Sequence, residues 1–457
     1  MATMAKDKEE STGVPRSRLG RLGRLGRLAA GIATDVAGAA GRVAVGAARD
    51  AAAARLHQQA ADRLFDTLGK MKGLPMKVGQ MLSYVDDVVP AIHRAAYRET
   101  LQRLQVKAQP LAWKDLEAVI RKDLGKGPEE IFSRFDPDPI AAASIGQVYR
   151  AALPDGTEVA VKVQYPGIAD AIRSDLKNIE LLRSGLSAVL PKVEIDRTLA
   201  DIEARVLEEC DYACELANQV EFFEFWANDP EVLVPRVFAE FSAAHVITTE
   251  FVDGRTWQDV VKNDEAAERS RLGRILFRFV FRSIYVRGMF HADPHPGNYL
   301  FPKDGRVGFV DFGCVQRFPQ EAVRGFREVR RMAMAGTRGA PLRDSMMRAY
   351  GFPEDFDPEE WDYIERYVLN AFEPFLHDRP FRFDRAYTGR VRALTKEGVL
   401  LGARKALRRG IWESSRPGFV FLNRIQYGLV SVLSQMGAEA NWHRLLLEID
   451  EEMDRGA

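Results

Sequence analysis

Cysteine, charge imbalance and long apolar runs are all scarce in this 457-residue chain. Its three cysteines, Cys210, Cys214 and Cys314, cannot build a disulfide framework and suit a reducing compartment. Cys210 and Cys214 stand four apart in a predicted helix with no second Cys or His pair, which reads as core packing rather than zinc. Basic and acidic residues balance at 65 each, so no whole-molecule field draws the chain to nucleic acid. No stretch reaches the roughly 18–20 apolar residues of a spanning helix. The longest uncharged run, IQYGLVSVLSQMGA from Ile425, is shorter and carries Gln and Ser. The N-terminal MATMAKDKEE lacks the apolar region of a signal peptide. Together these absences predict a cytoplasmic protein with no transmembrane segment, able to touch a membrane only at its surface.

What is present is ordinary for a globular protein: 46% hydrophobic and 28% charged residues, in a chain long enough for two lobes with extensions. Residues 1–17 read as a disordered tail. Residues 18–60 open with RLGRLGRLGRLAAG, which in a helix would line up Arg18, Arg21, Arg24 and Arg27 beside Leu19, Leu22, Leu25 and Leu28. That basic amphipathic stripe fits an anionic membrane surface. It reads equally as a frayed linker, since each glycine costs a helix about 1 kcal/mol.

Residues 61–134 form a helical extension containing LPMKVGQMLSYVDDVVP and closing with LAWKDLEAVIRKDLG, a predicted helix that stops at Gly125. Residues 135–252 turn to strands. QVYRAAL, a Pro-Asp-Gly turn at 154–156 and EVAVKVQ predict a β-hairpin. Long helices are expected at about 166–190 and 196–226, and strands at VLVPRVFAEF and AHVITTEFVDG. Residues 253–457 are mostly helical, apart from short strands flanking HADPHPGN and DFG. The fold class predicted is α+β and bilobal, a small β-containing lobe followed by a larger helical one.

Several residues in this frame suit phosphoryl transfer. In EVAVKVQ, Val159, Val161 and Val163 alternate with Lys162, so the lysine faces away from the valines and offers a point charge to phosphate. Upstream, Ala141, Ala142, Ala143, Ser144 and Gly146 occupy the place of a phosphate-covering loop, which is usually richer in glycine. Glu250 and Val252, at the end of the next strand-like segment, join this nucleotide-binding set. The helix containing EECDYACELAN offers acids to orient Lys162: Glu209 first, at the edge of an apolar stripe of Ile202, Val206, Cys210, Ala213 and Ala217, and Glu215 second. Asp293 can accept or orient a nucleophile's proton, while Asn298 and Asp311 supply hard oxygen ligands for Mg²⁺. His295 is expected to bond backbone within its proline-flanked loop.

The stretches KVGQMLS, AAAS, EECDYACELAN, HADPHPGN and DFG together resemble the UbiB/AarF family of atypical protein-kinase-like proteins, which includes the ADCK and Coq proteins. The resemblance covers roughly residues 60–445. It implies that Lys77 and Gln80 of the KxGQ element guard the active-site cleft where a peptide substrate would otherwise lie. It further implies an ATPase or small-molecule phosphotransferase that binds ATP or ADP with Mg²⁺ and supports ubiquinone or other isoprenoid-quinone biosynthesis, in concert with lipid and partner enzymes. CVQRFPQEAVRGFREVRRMAMAG contains no Ala-Pro-Glu, so a peptide-docking activation segment is not expected. The chain departs from the family in Cys210 between Glu209 and Asp211, and in lacking the C-terminal transmembrane helices of some bacterial members. Two rival readings are a nucleotide-gated lipid-binding scaffold without turnover and a true protein kinase.

Overall fold

A computed structural model describes residues 111–143, 145–173, 210–352, 354–409 and 428–456. The tail, the arginine-leucine stripe, Lys77, Gln80, Ser144 and Glu209 lie outside the described residues. The chain divides into two compact units, Met1–Ala213 with Phe238–Phe251, and Cys214–Val237 with Val252–Ala457. Residues 214–237 thus group with the helical unit rather than with the β-containing lobe expected to hold them. The cause is burial: Phe222, Trp226, Val232 and Val234 from this stretch belong to the second unit's core.

The first unit is built on an antiparallel sheet. Gly146–Ala152 pairs with Glu158–Gln164, which pairs in turn with Val246–Glu250. Arg134–Phe135 and Ala141–Ala142 both pair with the outer side of Gly146–Ala152. The predicted hairpin is present, and Gly156 turns it at φ 87°, a left-handed conformation that side chains resist. Val159, Val161 and Val163 are fully buried together. Each such side chain contributes about 1.5–3 kcal/mol relative to an exposed one. Helix Trp113–Leu124 buries Leu116 and Ile120, one turn apart, and ends where Gly125 adopts φ 75°. Its Asp123 accepts from both the backbone N–H of His245 at 2.8 Å and the His245 ring at 2.9 Å, which ties this helix to the sheet.

The second unit is organised around helix Ala266–Arg287, whose Leu272, Ile275, Leu276, Phe279 and Val280 are all buried. A four-stranded sheet runs in the order Val232–Leu233, Val307–Phe309, Tyr299–Phe301 and Arg255–Thr256, and Met289–His291 pairs separately with Val315–Arg317. The long strand expected at VLVPRVFAEF shrinks to Val232–Leu233, because Pro235 has no N–H for a ladder. The rings of Phe279 and Phe309 stack at 3.5 Å, seating the helix on the sheet. Helices Gln320–Met334, Ala340–Tyr350, Pro358–Phe372, Arg385–Arg409, Val430–Met436 and Trp442–Gly456 complete the unit. Among the described residues, no helix is long and apolar enough to cross a membrane.

Candidate active site

Lys162 lies on Glu158–Gln164, opposite Val148 on one side and Ile247 on the other. The strand alternates buried valines with half-buried Ala160 and Lys162, so the lysine occupies the sheet face away from the core. Its ammonium stands 5.2 Å from the centre of the Tyr212 ring, a cation–π distance. Glu250 is exposed at the end of the neighbouring strand and pairs with Val159. Val252 belongs to the other unit, where it is buried against Gly308.

The alanine segment is a strand as well as a loop. Ala141 pairs with Val148, Ala142 pairs with Gln147, and the Ala143 N–H donates to the Gly146 carbonyl at 2.9 Å. Ala141 and Ala142 leave their methyl groups exposed. Gly146 is buried at the start of its strand, where an added Cβ would come within 2.4 Å of the Val163 carbonyl and 2.8 Å of the Tyr212 hydroxyl. Close backbone packing therefore requires glycine at this position, independently of any phosphate.

The acidic helix is described over Tyr212–Trp226; Ile202 and Val206 lie outside the described residues, and for the remaining members the expected apolar stripe is corrected. Ala213 and Ala217 are exposed, Cys210 is half-buried, and Cys214 is exposed rather than in the core. The buried face instead carries Tyr212, Glu215, Asn218, Gln219, Phe222 and Trp226. Small apolar residues mark a core face poorly, because an alanine gains little by burial. Glu215, second in the sequence reading, is 3% exposed. A Cβ built on Gly313 would lie 3.5 Å from its Oε2 and 3.3 Å from Asp311 Oδ1, so two carboxylates flank that glycine.

Two short ladders gather the remaining residues. His291 pairs with Val315, and the Ala292 N–H donates to the Cys314 carbonyl at 2.9 Å. Tyr299 pairs with Phe309, and the Val310 N–H donates to the Asn298 carbonyl at 3.1 Å. The loops 292–298 and 310–314 are thereby clasped at both ends, and Asp293, Asn298 and Asp311 share one region of the second unit. Asn298 is buried and donates Nδ2 to the Asp293 carbonyl at 3.0 Å and to Asp293 Oδ2 at 3.2 Å. Asp311 Oδ1 accepts the Gly313 N–H at 3.0 Å, and the Asp311 carbonyl meets His291 Nε2 at 2.5 Å. As expected, His295 bonds within its loop: Nδ1 accepts the Gly297 N–H at 3.0 Å.

This arrangement fits a hard divalent cation. The nitrogen of the Asn298 amide is committed to Asp293, which leaves its oxygen as the amide atom that can face a cation, while the Asn298 main-chain carbonyl pairs with the loop that carries Asp311. A neutral oxygen and an anionic one are the donor types Mg²⁺ takes, usually with water and phosphate completing the octahedron. Sequence reasoning gave no role to His291 or Asn218, both of which hold main-chain carbonyls of the DFG turn. The one available signal was their place in the quoted motifs, since the partners are distant in sequence.

Residues 103–337 match the ABC1 atypical kinase-like domain. The mitochondrial atypical kinase COQ8 of Saccharomyces cerevisiae is 30% identical over 97% of this chain and 87% of its own length. The Schizosaccharomyces pombe COQ8 is 31% identical over 82% of this chain, which spans 61% of that relative. Among solved structures, Rv3197 of Mycobacterium tuberculosis, in complex with erythromycin, is 30% identical. It superposes with a TM-score of 0.60 over 88% of this chain and 98% of its own. With a kinase-like α+β fold, these loops and this breadth of likeness, the chain belongs to the ABC1 atypical kinase-like family.

Proposed function

We infer that the protein binds ATP with Mg²⁺ and hydrolyses it or transfers its γ-phosphoryl group to a small molecule, in support of isoprenoid-quinone or related lipid metabolism. The observation that carries this reading is the clasp of loops 292–298 and 310–314, which groups an acid–amide pair with a second carboxylate. The roles inferred are that Lys162 takes phosphate charge and that Asn298 and Asp311 hold the metal. Mg²⁺ supplies charge neutralisation at the phosphates when bound. Asp293, its carboxylate oriented by the Asn298 amide, positions water or a substrate hydroxyl and accepts its proton. Ala141, Ala142, Ala143, Ser144, Gly146, Glu250 and Val252 contribute to nucleotide binding, Glu209 orients Lys162, and Lys77 and Gln80 control access. The COQ8 names of its relatives support the quinone context. Those relatives are named as mitochondrial, so they lend no support to a cytoplasmic location for this chain. Anionic membrane, isoprenoid lipid and quinone-biosynthesis enzymes are the partners in this reading.

The test is phosphate release over many turnovers, with and without anionic liposomes, alongside nucleotide-induced thermal stabilisation titrated with Mg²⁺. We expect release in the wild type and loss of both release and the Mg²⁺-dependent shift in Asp311→Asn. Nucleotide stabilisation with no release under either condition would favour a scaffold. Strong labelling of a broad peptide library would favour a protein kinase.

A further inference from the structure

Two neighbouring buried amides on helix Tyr212–Trp226 are not used in the mechanism above. Asn218 and Gln219 are 3% and 1% exposed, and each donates to a main-chain carbonyl. Asn218 Nδ2 reaches the Phe312 carbonyl at 3.0 Å, and Gln219 Nε2 reaches the Pro235 carbonyl at 2.9 Å. Only the first carbonyl belongs to the turn that presents Asp311.

We propose that Asn218 is a positioning residue for Asp311, acting through the single peptide unit that joins Phe312 to Gly313. A peptide unit is planar, with its C=O and N–H pointing in opposite directions. Here the C=O is Phe312's, held by Asn218, and the N–H is Gly313's, which donates to Asp311 Oδ1 at 3.0 Å. Fixing the oxygen on one side therefore aims the hydrogen at the carboxylate on the other. Glycine at 313 needs such a restraint, because without a Cβ the backbone itself does little to stop this peptide from rotating. The two hydrogen bonds also polarise each other through the peptide. A second contact, Asn218 Nδ2 to Cys214 Sγ at 3.9 Å, is long and weak beside the first. Helix Tyr212–Trp226 thus sets the orientation of the metal-holding acid as well as carrying Glu215. This rests on the reading of Asp311 as that acid.

Gln219 supplies the control, since Asn218→Leu and Gln219→Leu each delete one buried amide from the same helix. Both variants are expected to melt at lower temperature. Amide hydrogen exchange in the 311–315 segment should rise about tenfold in Asn218→Leu, the loss of one buried hydrogen bond, and stay unchanged in Gln219→Leu. The Mg²⁺ concentration for half-maximal nucleotide stabilisation should rise about tenfold in Asn218→Leu only, for the same reason. Should Asn218→Leu fail to fold, Asn218→Ser removes the same donor without adding apolar bulk. Equal exchange at 311–315 in the two variants overturns the proposal, whatever nucleotide does. Raised exchange in Asn218→Leu, in a protein whose wild type shows no Mg²⁺-dependent shift, supports the positioning role and sinks the metal reading instead.

Discussion

Gly146 illustrates how one hydrogen in place of a methyl group can be dictated by the backbone opposite. A Cβ there would overlap the Val163 carbonyl, which belongs to a hairpin strand and cannot retreat without breaking its ladder. Gly146→Ala should therefore cost about 1–3 kcal/mol, the range for overpacking a well-filled site. Thermal denaturation without nucleotide reads this directly; an unchanged melting temperature would remove the packing argument. From sequence, Gly146 stood out as the one glycine near the alanine loop, and phosphate approach was the natural explanation. The alternation around Lys162, by contrast, was fully legible. A period of two in Val159, Val161 and Val163 leaves a strand no choice about which face is buried. A residue's partner across the fold has no such periodicity, and this separates the two cases.

Elements defined by local rules were read correctly. Helix Trp113–Leu124 ends at its glycine, the Pro-Asp-Gly turn closes a hairpin, and short strands flank both loops of the site. Helix Tyr212–Trp226 was not, because its inward face is polar and its alanines point outward. Neither was the role of the segment IQYGLVSVLSQMGA, which in the sequence was only the longest uncharged run. In the structure its Gly428 lies against Pro294, the residue after Asp293, and a Cβ at 428 would fall 2.0 Å from Pro294 Cγ. A proline ring cannot swing aside as a flexible side chain would. Gly428→Ala should displace the loop and with it Asp293, lowering turnover on the order of tenfold to a hundredfold, the scale of small misplacements in active sites. The ATP KM should hold, since Asp293 is assigned to the nucleophile rather than to the nucleotide. Steady-state phosphate release separates the two terms. A raised KM with full turnover would show that this segment braces something other than Asp293.

At the scale of the whole molecule, zero net charge conceals a set of internal arginine–carboxylate pairs. Many are exposed, and such pairs stabilise little. The pair of Asp229 with Arg278 is different: the carboxylate side chain is 10% exposed and accepts from the N–H groups of Glu231 and Val232 as well as from the guanidinium. Burial opposes the charge on Asp229, but Arg278 and the two N–H groups outweigh it and hold the carboxyl below its ordinary 3.8. A carboxyl with a lowered value in the folded state adds stability that is complete above the unfolded value and lost as pH falls through the folded one. Asp229 also sits just beyond helix Tyr212–Trp226, with its N–H bonded to the Trp226 carbonyl, while Arg278 is on helix Ala266–Arg287. The pair therefore pins the helix that carries Glu215 and Asn218 to the central helix of its unit. Asp229→Asn should lower stability at neutral pH by about 1.5–3 kcal/mol, the worth of hydrogen bonds to a charged group. That deficit should narrow as pH drops below 3.8, because the wild type then loses the same charge. Melting curves of both proteins from neutral pH to about pH 3 measure it through the linkage of protonation to unfolding. A constant gap between the two curves would mean that Asp229 matters for its shape and not for its charge.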